Sequence, residues 1–502
     1  MRAPDEHKLL LESMGFASFG SFRKRKRNDQ AKPLQQLRGA PEIEWFSRAD
    51  GAATETNLDW IKLLNVCTAT APTDESRPCL ICPNLQSMLL KAKQSFQCVE
   101  QQQFCTARAR ANAHEALGCG PRAKPYLNRA ALKLANLDAL CGLSSLAQPS
   151  EPLLFADLCG GPGGFSQYLL RKRRPSSCPG PSRSSQDAQA AGGARGWGMS
   201  LRDGSACDWD ISALQPYLRD TQDSPTAACV CSLELVNGED GSGDICRLSN
   251  VMQLVRAVRE GSGASAMCSG SVIAGVNRAT FSDEGTGPLH LVVADGGFEE
   301  ARNHAQQESV AARLVLAQSV AALRLLRRGG AFVLKLFGAA VPITASLVML
   351  LSYLFNALAI VKPVTSRPAS GERYLVCRGF TESRRAAAIL QPVTQHMLRA
   401  LSNYESGTST SDTSKLMSLV PLVVLAEDVQ FCAFLRRSNN QLARAQLDAC
   451  TAIQQEVDEG ATIQLDGGGS NVSNEHGKRR KRRKRGGTVA VARSAYWALW
   501  GI

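Results

Sequence analysis

The sequence has no GxGxxG and no GxxxxGK[ST], so the two common glycine loops that cradle pyrophosphate or nucleotide phosphates are excluded. It has one CxxC, at Cys79 and Cys82, and no second pair at zinc-like spacing; no metal site is expected. No secretory signal is read ahead of the fold, because the residues from Met1 onward are charged and polar. The 17 cysteines are odd in number and irregular in spacing, which suits reduced intracellular thiols. Residues 339–361 carry no charge over a length that would span a bilayer. Yet Pro342, Thr344, Ser346, Ser352 and Asn356 interrupt them. The run reads as a buried helix at 342–355 and a strand at 358–361, and no membrane association is expected.

What is present is a globular composition, 44% hydrophobic over 502 residues, enough for one large domain or two to three smaller ones. The net charge is +13, which favours a polyanionic partner. Residues 23–27 (RKRKR) and 478–485 (KRRKRRKR) hold as many basic residues as the whole excess, so the middle of the chain is near neutral. Such clusters predict nuclear import, with nonspecific RNA attraction or a solvated tail as alternatives.

Residues 1–55 read as a disordered tail. Residues 56–125 read as a helical pre-domain, with Leu85, Leu89, Leu90 and Phe96 giving a partial apolar face. Arg108 and Arg110 stand on its polar stretch, in reach of phosphate or merely solvated. In residues 126–140, Leu127, Ala130, Ala131, Leu134 and Leu137 follow helical spacing. Lys133 lies among them, where a lysine usually snorkels unless it points into a cleft.

Residues 153–170 organise the rest. An apolar run at 153–158 suits a buried strand, with Asp157 near its end. Cys159, Gly160, Gly161, Pro162, Gly163, Gly164 and Phe165 follow, then a helical pattern to 172. Strand, glycine turn and helix are how an open α/β sheet holds a ligand beyond the carboxyl end of a strand. Glycine lets backbone pass close to a ligand; a turn without a ligand is the alternative. Residues 173–193 and 259–287 read as low-complexity insertions. Residues 196–201 (GWGMSL) read as a second strand with no carboxylate for a ribose, which counts against NAD. Residues 220–285 show only a compact turn at Gly243, Asp244 and Ile245.

Residues 290–295 (HLVVAD) read as a strand ending in Asp295, at the same crevice as the glycine turn. Residues 307–328 read as an amphipathic helix, with Arg327 and Arg328 at its C-terminus and Gly329-Gly330 as its stop. In the strand at 331–337 (AFVLKLF), Lys335 breaks an apolar run. Such a strand is buried on both faces, so a lysine there needs a partner. Glu372 enters the final strand; residues 386–463 read as helical, and 464–502 as a linker and basic tail. The alternation predicts an α/β sandwich with an antiparallel last strand and helical extensions at both ends. Lys133, Asp295, Lys335 and Glu372 are either a structural ion-pair network or a site that binds a hydroxyl and helps remove its proton.

The order of Lys133, Asp157-x-Cys159-Gly-Gly-Pro-Gly-Gly-Phe165, Asp295-Gly-Gly-Phe298, Lys335 and Glu372 resembles the FtsJ-like ribose 2′-O-methyltransferases and their Lys-Asp-Lys-Glu tetrad. Within that family it is similar to the eukaryotic mRNA cap-1 enzymes. LNRAALKLAN, FADLCGGPGGFSQYLL, GWGMSL, GDI, VVADGGF and VKPVTSRPASGERYLVC carry the likeness over roughly residues 105–380. The resemblance implies a Rossmann-like methyltransferase domain at 126–385 with a mostly parallel seven-stranded sheet. It implies S-adenosylmethionine as cofactor, bordered by Asn128, Asp157 and Cys159 to Phe165, with Asp244 and Ile245 near its adenine and Asp295 at its methyl end. Lys133, Asp295, Lys335 and Glu372 are then the catalytic tetrad. Gln307, Ser370 and Arg110 are the implied substrate contacts, and Tyr126 and Phe298 are candidates to stack the cap guanine. Lys335 is followed by Leu-Phe-Gly where the family tends to have Thr-Phe-Asp. The implied function is cap-1 formation on the capped 5′ end of mRNA, in the nucleus, with transcription or capping machinery as partners. An FtsJ-like enzyme acting on ribosomal or transfer RNA, or a noncatalytic RNA-binding protein of this fold, are the alternatives.

Overall fold

The computed structural model describes residues 43–48, 61, 64, 78–112, 126–174, 192–202, 204, 208–218, 230–263, 286–297, 307–405 and 418–466. Helices α1 (Pro83–Gln94) and α2 (Gln101–Ala111) precede α3 (Arg129–Cys141). The chain then alternates through β1 (Leu153–Leu158), α4 (Gly164–Lys172), β2 (Gly193–Met199), the short α5 (Ile211–Leu214), β3 (Val230–Leu235) and α6 (Leu248–Gly261). It continues through β4 (Leu289–Ala294), α7 (Gln307–Leu325), β5 (Leu326–Leu336), α8 (Pro342–Leu354), β6 (Phe355–Val361) and β7 (Arg373–Phe380). Helices α9 (Arg384–Glu405), α10 (Leu422–Glu427) and α11 (Val429–Asp466) follow.

The seven strands lie in the order β3-β2-β1-β4-β5-β7-β6. The pairs from β3 across to β5 are parallel, and β7 runs against both β5 and β6. This is the expected mostly parallel sandwich. Strand order reverses between β1 and β4, which opens a crevice beyond their carboxyl ends. Period-two alternation splits each strand between two cores. Leu153 and Phe155 pack with α3 and α4, whereas Ala156 and Leu158 pack with α6, α7 and α8 on the opposite face. Both faces are dry, so each fully buried Leu, Val or Phe contributes roughly 1.5–3 kcal/mol.

Boundaries differ from the sequence reading where tertiary pairing overrides local pattern. Helix α7 stops at Leu325, because Leu326 already pairs with Leu289 of β4. Arg327 and Arg328 therefore belong to β5 and do not cap a helix; their guanidinium groups donate to Leu146 O (3.3 Å) and Glu382 O (2.6 Å). Strand β2 starts at Gly193, earlier than the sequence reading, because it pairs along the whole of β1. The stretch 220–285 holds β3 and α6, whose Val251, Leu254, Val255 and Val258 are buried. The rest of the two insertions, residues 175–191 and 264–285, lies outside the described residues, as do both basic clusters.

Residues 43–48, read as part of a disordered tail, lie on the edge of the sheet. Phe46 and Leu358 of β6 exchange two backbone hydrogen bonds (2.7 and 2.9 Å), and Phe46 packs on Phe431 and Phe434 of α11. Exposed edge groups find partners this way. The helices before and after the sheet form one layer: Ala107 of α2 packs with Ile453 and Val457 of α11, and Cys82 N donates to Asn440 Oδ1 (2.8 Å). The charge-free stretch 339–361 forms part of α8 and β6, and among the described residues no helix is long and apolar enough to cross a membrane.

Candidate active site

Four charged side chains from four separate parts of the chain meet at the carboxyl edge of the sheet. Lys335 lies on β5 opposite Tyr374 of β7, and the pleat turns both toward the face covered by α3. Lys133 comes down from α3, and its Nζ donates to Glu372 Oε2 at 2.8 Å. Lys335 Nζ stands 3.6 Å from the same oxygen and 3.3 Å from Asp295 Oδ1. All four side chains are 12–14% exposed, so the cluster is nearly dry yet open at one side. Gly297 leaves room over Lys335 Nζ: a Cβ there would lie 3.0 Å from it.

Neighbours that the sequence did not single out hold this group. Tyr374 Oη donates to Asp295 Oδ1 (2.6 Å), and Ser366 Oγ donates to Glu372 Oε1 (2.6 Å). Lys362 Nζ donates to Glu372 O (2.7 Å) and Ser370 O (2.9 Å). Burial disfavours the charge on Lys335, but Asp295 and Glu372 outweigh it and raise its pKa. Burial would lift Glu372, but Lys133 and Lys335 hold it well below the usual carboxylate range. Burial, then the charge of Asp295, pushes the Tyr374 phenol far up, so it remains a donor. Tyrosine and serine in a strand and a turn carry no sequence signal for such roles; only distances reveal them.

The glycine turn lies beside this cluster. Cys159 adopts φ 56°, the left-handed region that is strained for a side chain, and its N donates to Met199 O (2.7 Å). Gly163 has φ 114° as it enters α4, a conformation that glycine takes without strain. Gly164 passes so close to Asn128 that an added Cβ would overlap the Asn128 carboxamide, which caps α3 by accepting from Ala130 N (3.0 Å). Gly161 N donates to Ser200 Oγ (3.2 Å), and Arg202 N to Ser242 O (2.8 Å), so the turns after β1, β2 and β3 share one edge. Asp244 Oδ1 accepts from Cys246 N (2.9 Å) in the last of these.

The side chains of several other expected residues are engaged within the protein. Asp157 is fully buried beneath the turn, where Oδ2 accepts from Ser166 N (3.0 Å) and Oγ (2.7 Å). The Phe165 ring packs on Tyr374 in the core, and the Ile245 side chain is also buried. Tyr126 is 6% exposed against Tyr168, so its ring is not free to stack a base; Phe298 lies outside the described residues. Gln307 opens α7 next to Glu308, whose Oε1 accepts from Ala340 N (2.9 Å) and Val341 N (3.0 Å) beyond β5. Ser370 lies two residues before Glu372 and is bound by Lys362. Arg110 stands on α2 and pairs with Glu456 of α11 at 4.0 Å.

A family model described as FtsJ-like methyltransferase matches residues 126–380. The cap-specific mRNA (nucleoside-2′-O-)-methyltransferase 1 of Danio rerio is 30% identical over 433 residues, covering 82% of this chain and 44% of that protein. The Xenopus laevis protein of the same name is 27% identical over 488 residues, covering 88% and 49%. The Homo sapiens one is 28% identical over 383 residues, covering 73% and 38%. The chain thus spans less than half the length of these relatives.

Proposed function

The chain belongs to the FtsJ-like methyltransferase family, and on that premise we propose that it methylates the ribose 2′-hydroxyl of the first transcribed nucleotide of capped mRNA. The observation that carries this is the meeting of Lys133, Asp295, Lys335 and Glu372 beside the glycine turn, with one Glu372 oxygen shared by both lysines. The substrate is read from the names of the relatives: cap-specific mRNA 2′-O-methyltransferases. Residues 23–27 and 478–485 support action in the nucleus, where capping and transcription machinery are the expected partners.

S-adenosylmethionine fits the donor side, and when bound it supplies a methyl group on a sulfonium. Asn128, the backbone of Cys159 to Gly164, Asp244, the main chain of Ile245, and Asp295 would hold it. The fit rests on the turn itself: Gly160, Gly161, Gly163 and Gly164 put bare backbone at the carboxyl edge of the sheet, with the Asn128 carboxamide packed against Gly164. Asp157 shapes that cradle from below through Ser166.

The protein's remaining task is alignment of a weak nucleophile, which is worth about 7–11 kcal/mol when complete. Glu372 and Lys133 fix the hydroxyl side. Asp295, steadied by Tyr374, holds Lys335. Lys335 steers the 2′-oxygen and accepts its proton at Nζ. Asp295 and Glu372 favour its protonated form in the free protein, so it serves as a base only after releasing its own proton to solvent, which the positive charge of a bound sulfonium would favour.

The test is transfer of labelled methyl to capped and uncapped RNA of one sequence, with the labelled nucleotide mapped. Lys335→Ala is expected to lower transfer by about 10²-fold or more while cofactor binding persists. Equal transfer to uncapped RNA would reassign the substrate to another RNA class. Loss of cofactor binding together with the fold would make Lys335 a structural lysine.

A further inference from the structure

Lys362 is not one of the four charges, yet it holds the backbone on which two parts of the site depend. It follows Val361, the last residue of β6. Its Nζ donates to Ser370 O (2.9 Å), Ser370 Oγ (3.4 Å) and Glu372 O (2.7 Å). A lysine ammonium has three donors, and here all three end on residues 370–372. Gly371, between the two acceptor residues, has no side chain with which to pin itself. Ser370 N and Oγ also donate to Arg367 O (3.0 and 2.8 Å), Gln446 Nε2 of α11 donates to Ala369 O (3.1 Å), and Lys133 and Ser366 hold the Glu372 carboxylate, whereas Lys362 binds the main chain on both sides of Gly371.

We propose that Lys362 is a positioning residue of the methyl-transfer site. It ties residues 370–372 into one fixed turn, so that Glu372 stands over both tetrad lysines and Ser370 stands on the substrate side. The proposal rests on reading the tetrad as a transfer site. Burial pushes the Lys362 amine down to about 7; Glu372 opposes this, and Arg373, Lys93 and Lys133 add to it. Three acceptors facing one nitrogen favour the ammonium, which alone has three N–H groups, against that burial. A side chain kept for packing alone would be replaceable by methionine, which matches its length but has no donor.

The experiment compares the full chain with Lys362→Met and Lys362→Gln. In Lys362→Met, kcat on capped RNA is expected to fall by about tenfold or more, since small misplacements at a reacting centre are costly. The Kd for S-adenosylmethionine is expected to stay within about twofold, because the turn after β1 is untouched. Amide hydrogen exchange should accelerate at 366–372 and not in β1 or α4, and Lys362→Gln should recover part of kcat by restoring an N–H donor group. Unchanged kcat with unchanged exchange overturns the proposal. So does loss of cofactor binding with exchange raised throughout the sheet, which would mark a general structural role. If the unaltered chain transfers no methyl to capped RNA, the substrate reading has failed, and exchange at 366–372 decides the role of Lys362 by itself.

Discussion

Asp157 is buried beneath the glycine turn with one oxygen on Ser166 and the other without a hydrogen-bond partner among the described residues. Burial raises its carboxyl to about 7; Ser166 opposes the rise, and the charge of Asp295 adds to it. The folded chain therefore holds a proton, between about pH 4 and 7, that the unfolded chain has released. Stability falls as pH rises through that window. Asp157→Asn keeps an oxygen for Ser166 and removes the ionisation. Across the window the unaltered chain is expected to lose up to about 1.4 kcal/mol per pH unit relative to the variant. Denaturant unfolding at several pH values checks this, and parallel stability curves would mean that Asp157 stays ionised. Residues of this kind also mark the limit of sequence reading. Lys335 is legible because a lysine inside an apolar strand needs a reason. Tyr374, Ser366 and Lys362 are not, because their types are ordinary in strands and turns and only the fold brings them to the tetrad.

At the scale of elements, the turn after β1 is held by contacts that leave no space for side chains. Gly164→Ala would drive a methyl into the Asn128 carboxamide and lift it from its cap on Ala130 N. The lost cap costs about 0.5–2 kcal/mol, and overpacking adds about 1–3 kcal/mol. If the proposed donor site holds both Asn128 and the turn, the thermal shift given by S-adenosylmethionine is expected to shrink along with the midpoint. A full ligand-induced shift in a folded Gly164→Ala chain would remove this turn from the donor site. The turn was legible since its glycines are unusual in number. Strand β3 is not legible, because it is short and lies in a stretch dense in turn-forming residues; helix α6 does carry the i, i+3, i+4, i+7 apolar spacing, in Val251, Leu254, Val255 and Val258, which the reading of 220–285 as loop-rich passes over. The start of β5 departs from its local pattern for a different reason. Arginines followed by two glycines are a good local helix stop, and the pairing of Leu326 with Leu289 decides otherwise.

At the scale of the whole molecule, one buried side chain of the helices outside the family domain joins three regions, beside the apolar contacts and the Gln446–Ala369 hydrogen bond that also hold those helices in place. Asn439 of α11 is 3% exposed. Its Nδ2 donates to Leu80 O (2.8 Å), ahead of α1, and to Ala339 O (2.9 Å), after β5. Its Oδ1 accepts from Arg373 Nη2 (2.6 Å), at the start of β7. Three regions far apart in sequence thus share one carboxamide, and Arg373 adjoins Glu372 of the tetrad. Burial lowers the Arg373 guanidinium to about 10, with Glu308 opposing, so its remaining hydrogen bonds matter. Asn439→Ala leaves two carbonyls and one guanidinium N–H without partners in a dry interface. Each buried unsatisfied group costs about 1–3 kcal/mol, more when charged, so the expected loss is about 3 kcal/mol or more, read as a lower urea midpoint. Methyl transfer should fall as well, because Arg373 sets the entry of β7 and with it the height of Glu372. A midpoint change worth under about 1 kcal/mol would mean that the layer is held by its apolar contacts alone, and that the site does not depend on the helices packed beside it.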